Sequence, residues 1–123
     1  MAKILIVEDH DAIFDLMRAL LKKKNHVVER VTDGSFVSDV VKNIKPDLII
    51  LDIMLPGLDG YSVQNKLLED EETSAIPIVI TTLKVQTHDI FQTARNVVGF
   101  ISKPFEGKKF SDKIEEIVSA HVK

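Results

Sequence analysis

Five short segments that favour strands alternate along this chain with segments in which apolar residues recur every three or four positions. The first and third of these strand segments are continuous apolar runs, and each ends abruptly in acidic residues. Continuous apolar runs of this length are typical of strands buried on both faces of a parallel sheet, and the helical spacing predicts crossover helices between them. The alternation therefore predicts an α/β fold with a doubly wound, five-stranded parallel sheet and helices on both of its faces. The predicted strands cover residues 4–7, 27–31, 48–51, 76–81 and 99–102.

Five stripes of apolar residues at helical spacing predict five helices. Asn25 follows the first stripe and Pro46 follows the second, and both residue types are common where helices end. Phe36 and Phe110 are interpreted as core residues within their stripes. The stripes consist of Ile13, Leu16, Met17, Leu20 and Leu21; Phe36, Val37, Val40, Val41 and Ile44; Val63, Leu67 and Leu68; Ile90, Phe91, Ala94 and Val97; and Phe110, Ile114, Ile117 and Val118.

Length and composition narrow the class of protein. The chain has 123 residues, and we expect residues 1–123 to form one domain. A net charge of −3 gives no electrostatic reason to expect nucleic-acid binding. The longest apolar run covers residues 75–80, far short of the ~18 residues that a membrane span needs, and the N-terminus lacks the pattern of a secretory signal. We therefore expect a cytoplasmic protein with no membrane partner.

Polar side chains lie where the predicted strands end. Glu8 and Asp9 follow the first strand, Asp52 the third, Thr82 the fourth and Lys103 the fifth. The carboxyl ends of parallel strands meet at one edge of a sheet, where open α/β folds bind their ligands. Carboxylates gathered there repel one another and need a positive counter-charge. The sequence offers the lysine for this purpose, and the carboxylates are ligands that suit Mg²⁺.

Some of these acidic residues have a simpler interpretation as helix caps, because an aspartate after a strand often begins the next helix. We prefer that interpretation for Asp11 and Asp59. It suits Asp52 poorly, because Pro56 and Gly57 come soon after it and predict a turn instead of a helix. Each of the other polar residues, taken alone, has an equally ordinary structural role. The functional interpretation depends on their joint placement at the strand ends.

Four segments resemble response-regulator receiver domains of two-component signalling. Residues 52–60, with the sequence DIMLPGLDG, resemble the phosphoacceptor loop of that family. Residues 7–9 resemble its acidic pair, residues 76–82 its fourth strand, and residues 100–105 its fifth strand with a lysine. The resemblance covers nearly the whole chain, with the motifs in the order and at the spacing of the family. It implies a flavodoxin-like sheet with the strand order 2-1-3-4-5 and five helices.

The resemblance also implies a chemistry. Asp52 would accept a phosphoryl group from a sensor histidine kinase or a histidine phosphotransferase, in a reaction that needs Mg²⁺. Lys103 and the Thr82 hydroxyl would contact phosphoryl oxygens, and a cis peptide bond would precede Pro104. Such a domain is not an enzyme in the usual sense, since it catalyses only its own phosphorylation and dephosphorylation. The Mg²⁺ ligands would be Glu8, Asp9, Asp52 and the backbone carbonyl of Met54.

The family switch implies a path from the phosphoryl group to a signalling surface. Thr82 would move toward the phosphoryl group, and Phe100 would turn inward into the space it leaves. The surface formed by the fourth helix, the fifth strand and the closing helix would then bind an unidentified output protein. Residues 84–96 match the family least, and we expect them to carry partner specificity. Leu83 stands where the family has a small residue, and its bulk is expected to narrow the phosphoryl pocket.

Three other functions are alternatives to a phosphorylated receiver. A phosphohydrolase of the haloacid-dehalogenase type needs a second aspartate two residues after the nucleophile, where this chain has Met54. A flavodoxin-like protein that binds FMN needs a loop rich in Ser, Thr and Gly after the first strand, where this chain has residues 8–11, EDHD. A receiver that only docks proteins, without phosphorylation, is the alternative that Leu83 keeps open. The four histidines show no ligand spacing.

Overall fold

The computed structural model describes residues 1–83 and 94–122. Their five strands form one parallel sheet in the order β2-β1-β3-β4-β5, which confirms the predicted α/β class and strand order. The strands are β1 (Lys3–Val7), β2 (Val27–Val31), β3 (Leu48–Asp52), β4 (Ile78–Thr82) and β5 (Val97–Ser102). The α-helices are α1 (Asp11–Lys23), α2 (Val37–Ile44), α3 (Gly60–Glu69) and α4 (Gly107–His121), with a 3₁₀ turn (Gly34–Phe36) before α2.

Apolar side chains cover the sheet on both faces. The three central strands, β1, β3 and β4, are almost entirely buried, as their continuous apolar runs predicted. One face packs against α2 and α3 through Val37, Val41, Val63 and Leu67. The other face packs against α1 and α4 through Met17, Leu21, Phe110 and Ile114. None of the described helices combines the length and the apolar composition that crossing a membrane requires.

Two of the predicted helix boundaries are confirmed. Asn25 adopts a positive φ of 65° just after α1, as its position suggested. Asp59 precedes α3, and its carboxylate accepts a hydrogen bond of 2.9 Å from the backbone N–H of Ser62, so it is a helix cap. The same interpretation was wrong for Asp11. That residue is the first of α1, and its carboxylate instead lies 2.9 Å from Arg30 of the neighbouring strand.

Other predictions are corrected or lie outside the described residues. Val97 begins β5 and is not part of a helix, and β4 begins at Ile78, two residues later than predicted. Phe36 is not a core residue, because it lies in the 3₁₀ turn before α2 with 60% of its surface exposed. Phe110 is buried as predicted. The predicted helix around Ile90 and Phe91 lies outside the described residues.

The turn after β3 is interlocked with the turn after β2. Gly57 has a φ of 73°, as the Pro-Gly turn predicted, and a Cβ atom there would lie 1.9 Å from Asp33. Gly34 donates a hydrogen bond of 3.1 Å to the carbonyl oxygen of Pro56, and a Cβ atom on it would lie 1.6 Å from the carbonyl oxygen of Leu58. The loop that follows Asp52 is therefore fixed by backbone packing.

Candidate functional site

The sheet brings the predicted site residues to one edge. Asp52 and Thr82 are the last residues of β3 and β4, and both are buried. Glu8 follows β1 directly, and its side chain is fully buried. Lys103 follows β5, and its backbone N–H donates a hydrogen bond of 2.8 Å to the carbonyl oxygen of Thr82. Parallel strands thus bring the ends of β3, β4 and β5 and the residue after β1 to one edge of the sheet.

Lys103 is shared between two buried carboxylates. Its Nζ atom lies 2.6 Å from Glu8 Oε1 and 3.3 Å from Asp52 Oδ2. The lysine side chain is itself 9% exposed, so these contacts are poorly screened by solvent. A buried carboxylate without a partner would be strongly unfavourable. The Lys103 ammonium offsets part of the cost of burying the two carboxylates at this site.

The environment of Asp52 raises the pKa of its carboxyl group above the ordinary value. Burial is the largest cause, and the neighbouring charge of Glu8 adds to it. Lys103 and the backbone N–H of Met54, which lies 3.3 Å from Asp52 Oδ1, act in the opposite direction. The carboxylate of Asp52 is therefore held in a site that disfavours its charge, so added positive charge is favourable there.

The donor set at this edge suits a hard divalent cation. Ligand atoms of Glu8, Asp9 and His10 lie within 4.8 Å of one another. Asp9 is partly exposed, with 34% of its side chain accessible, so it can reach both the site and water. Among the described residues, Lys103 pairs with Glu8 and Asp52, and the His10 ring lies 3.7 Å from Glu8 and 3.8 Å from Asp9. Three carboxyl groups therefore share one lysine, and a further positive charge would be favourable. Carboxylate oxygens with access to water are the ligands that Mg²⁺ prefers, so the residues fit this ion.

A largely apolar cleft of about 440 Å³ opens beside Asp52 and Lys103. Two exposed side chains border it, Met54 with 66% and Leu83 with 71% of their surface accessible. The other lining residues are His10, Ile13, Leu16, Pro104 and Phe105. The peptide bond between Lys103 and Pro104 is cis, as the family resemblance implied. The cleft gives an approaching group a route to the Asp52 carboxylate.

The sequence analysis did not identify two residues that lie at the site. His10 was counted among scattered histidines, but its Nδ1 atom lies 3.7 Å from Glu8 and 3.8 Å from Asp9. Its position directly after the acidic pair was the available signal. Thr81, the β4 neighbour of Asp52, is 1% exposed, and its hydroxyl has no hydrogen-bond partner among the described residues. The family resemblance pointed to Thr82, and nothing in the sequence gave a role to the neighbouring Thr81 hydroxyl.

Comparison with known proteins gives the family. Residues 4–115 match the response regulator receiver domain. The chain is 32% identical over 120 residues to protein PilH of Pseudomonas aeruginosa, covering 97% of this chain and 99% of PilH. It is also 32% identical to the DNA-binding dual master transcriptional regulator RpaA of Synechocystis, but spans only 49% of that protein.

Solved structures agree in fold. The chemotaxis response regulator CheY4 of Vibrio cholerae has a TM-score of 0.86 and 22% identity, covering 95% of this chain and 98% of CheY4. The receiver domain of the sensor histidine kinase PA1611 of Pseudomonas aeruginosa has a TM-score of 0.83 and 25% identity, with coverages of 98% and 96%. That structure is described with a magnesium ion in its active-site cleft. Because of its strand order, its match to the family and its similarity to PilH, this chain belongs to the response regulator receiver domain family.

Proposed function

We propose that this chain is a phosphorylation-activated switch in which Asp52 accepts the phosphoryl group. Response regulators receive phosphoryl groups from histidine kinases, so the donor would be a phosphohistidine of a sensor histidine kinase or a histidine phosphotransferase. The observation that carries the proposal is the environment of Asp52. Its carboxylate ends β3 at the cleft, with the Lys103 ammonium 3.3 Å away.

The transfer would be a substitution at phosphorus. An Oδ atom of Asp52 attacks the phosphorus, a P–O bond forms, and the P–N bond to the donor imidazole breaks. The imidazole leaves with the electron pair of that bond and takes a proton from solvent. Attack requires the ionised carboxylate, and Lys103 favours that form because it lowers the pKa that burial raises. The product is an acyl phosphate on Asp52.

The negative charge of the transferred phosphoryl group must also be neutralised during the reaction. Glu8, Asp9, Asp52 and the backbone carbonyl of Met54 would hold Mg²⁺, which supplies positive charge to the phosphoryl oxygens when bound. The closeness of the Glu8 and Asp9 carboxylates and the magnesium ion described in the PA1611 receiver support the two acidic ligands. Asp52 is linked to them through Lys103, which contacts both Glu8 and Asp52. Lys103 and the Thr82 hydroxyl would contact the remaining oxygens from the ends of β5 and β4.

The phosphoryl group would signal through the surface around β5. Phe100 lies beside Ile80 in the sheet and packs, half-buried, on the face covered by α2 and α3. A shift of Thr82, two residues beyond Ile80, would change the space available to that ring. The output surface would include β5, α4 and the predicted helix before β5, which lies outside the described residues. Receiver domains are signalling modules, and this one would catalyse only its own phosphorylation and dephosphorylation.

Intact mass spectrometry tests the proposal. The protein is incubated with a small acyl-phosphate donor, with Mg²⁺ or with a chelator. We expect a mass increase of one phosphoryl group in Mg²⁺ and none in the chelator. Asp52→Asn should abolish the increase, and Asp59→Asn should preserve it, because Asp59 belongs to the same loop but caps α3. A docking module without phosphorylation, the alternative, would give no increase in wild-type protein, and labelling of Asp52→Asn would contradict the choice of residue.

A further inference from the structure

Arg30 on the edge strand β2 holds the segment that carries the acidic pair. Its Nε atom donates a hydrogen bond of 3.1 Å to the carbonyl oxygen of Glu8. Its guanidinium carbon lies 4.4 Å from the ring centroid of Phe14 on α1, which is a cation–π contact. Its Nη2 atom lies 2.9 Å from Asp11 Oδ1 but is poorly aligned for a hydrogen bond, so this contact is an ion pair. One side chain thus spans the segment from the end of β1 into α1.

The main chain of Glu8 is satisfied entirely by β2. Its N–H donates a hydrogen bond of 3.1 Å to the carbonyl oxygen of Val31, and its carbonyl oxygen accepts from Arg30. Only residues 8–10 separate β1 from α1. Fixing the main chain of Glu8 at one end and the first turn of α1 at the other therefore leaves Asp9 little freedom to change direction.

We propose that Arg30 is a positioning residue for metal binding, which holds the segment from Glu8 to Asp11 in the geometry that binds Mg²⁺. This inference rests on the proposed function. Arg30 acts through the main chain of Glu8 and through Asp11 and Phe14, because its contact with Glu8 is to the carbonyl and its ion pair is with Asp11. Residues that orient metal ligands commonly change metal affinity by ~10–100-fold when they are replaced.

Electrostatics and positioning predict opposite results at Arg30. A fixed positive charge near a divalent ion opposes binding, so electrostatics alone predicts that Arg30→Gln binds Mg²⁺ more tightly. Loss of positioning predicts weaker binding. Arg30→Lys keeps the charge, but a single ammonium cannot reproduce the planar fork that contacts a carbonyl, a carboxylate and a ring together. The sign of the change in affinity therefore separates the two explanations.

Mg²⁺ affinity is measured by titration calorimetry at a temperature where every variant is folded. We expect Arg30→Gln to weaken binding roughly tenfold and Arg30→Lys to restore only part of the loss. The matched control is Arg18→Gln, which removes the same charge from an exposed position on α1 and should leave the affinity close to wild type. Affinity unchanged or increased in Arg30→Gln would overturn the inference.

Hydrogen exchange without metal gives a second readout. In Arg30→Gln the amides of residues 8–10 should exchange faster while those of β3 keep their protection, because the effect is local. Equal protection of residues 8–10 in both proteins would overturn the inference. If Arg30→Gln does not fold, Phe14→Leu removes the ring under the guanidinium and should weaken binding roughly two- to fivefold. Wild-type protein that binds no Mg²⁺ would refute the proposed function itself, whereas normal wild-type binding with unaffected variants refutes only the role of Arg30.

Discussion

The ammonium of Lys103 lies closer to the carboxylate of Glu8, at 2.6 Å, than to that of the proposed phosphoacceptor Asp52, at 3.3 Å. The lysine is therefore engaged before any phosphoryl group arrives, and a phosphoryl group on Asp52 would compete with Glu8 for it. Positive charge from Mg²⁺ beside Glu8 would offset the loss of that ion pair. The shared lysine thus gives a physical reason why phosphorylation should depend on the metal.

Asp9→Asn should weaken Mg²⁺ binding by roughly tenfold or more, because it removes one anionic oxygen from a small donor set. Binding to wild-type protein should also weaken as the pH falls, since protonated carboxyl groups are poor ligands. Calorimetric titrations at several pH values measure both effects. Equal Mg²⁺ affinity in wild type and Asp9→Asn would exclude Asp9 as a ligand.

Asp52→Asn should stabilise the metal-free protein at neutral pH. Burial and the charge of Glu8 raise the pKa of Asp52 in the folded state. A carboxyl group of this kind contributes stability below its ordinary pKa of about 4, and the contribution is lost as the pH rises through the raised folded-state pKa. The variant should therefore be more stable than the wild type at pH 7, measured as a higher unfolding midpoint.

That gain should shrink as the pH falls toward 4, where wild-type Asp52 binds its proton. Thermal unfolding in chelator across this range measures it, with Asp15→Asn, at an exposed position of α1, as the control. A stabilisation that does not change with pH would mean that the charge of Asp52 is not its cause.

Leu83→Ala should change the lifetime of the phosphorylated protein several-fold. The Leu83 side chain is 71% exposed and borders the cleft beside Asp52, where it can restrict the approach of water to an acyl phosphate. Decay of the phosphorylated mass after removal of the donor measures the lifetime. An unchanged half-life would show that this departure from the family pattern has no effect on hydrolysis.

Thr82→Ala should still accept a phosphoryl group but should lose the structural response of residues that lie far from Asp52. Beryllofluoride, a mimic of the phosphoryl group, should shift the amide NMR signals of Phe100 and of α4 in the wild type. In Thr82→Ala the shifts should be confined to residues near Asp52. A variant that keeps the distant shifts would show that Thr82 is not the coupling residue, and a wild type without them would show that no switch reaches β5.

Thr81→Val should raise the free energy of unfolding by about 1 kcal/mol. The Thr81 hydroxyl is buried without a hydrogen-bond partner among the described residues, and valine has nearly the same shape without that polar group. Chemical denaturation measures the difference, and the same substitution at Thr82 serves as a contrast. A loss of stability in Thr81→Val would indicate that the hydroxyl has a partner after all.

Most of the sheet was predictable because its central strands are continuous apolar runs. The predicted starts of β4 and β5 were wrong, and the error at β5 has a physical cause. The predicted β5 began at Gly99 because Val97 had been assigned to the apolar stripe of the helix before it. In the structure β5 already begins at Val97, and Gly99 lies within it under α4, where a Cβ atom would come 2.8 Å from Ile117. The glycine allows a helix to pack closely, and that need arises from tertiary structure.

The placement of Glu8, Asp52 and Lys103 followed from topology alone, since parallel strands end at one edge. Arg30 could not be recognised in this way. Its partners depend on the pairing that sets Ile6 opposite Arg30 and so brings β2 against the end of β1. Contacts between side chains on neighbouring strands depend on register, which the periodicity of a single strand does not reveal.

The interlocked turns at Gly34 and Gly57 have a consequence for any survey of sequence variants. A side chain at either position would collide with backbone or with Asp33, so nearly all substitutions there should be lost through misfolding. In a saturation library selected for signalling, both positions would look as intolerant as Asp52. A parallel selection for protein abundance would distinguish the two causes. Asp52→Asn should accumulate to a normal level but fail to signal, whereas variants of Gly34 and Gly57 should accumulate to a low level.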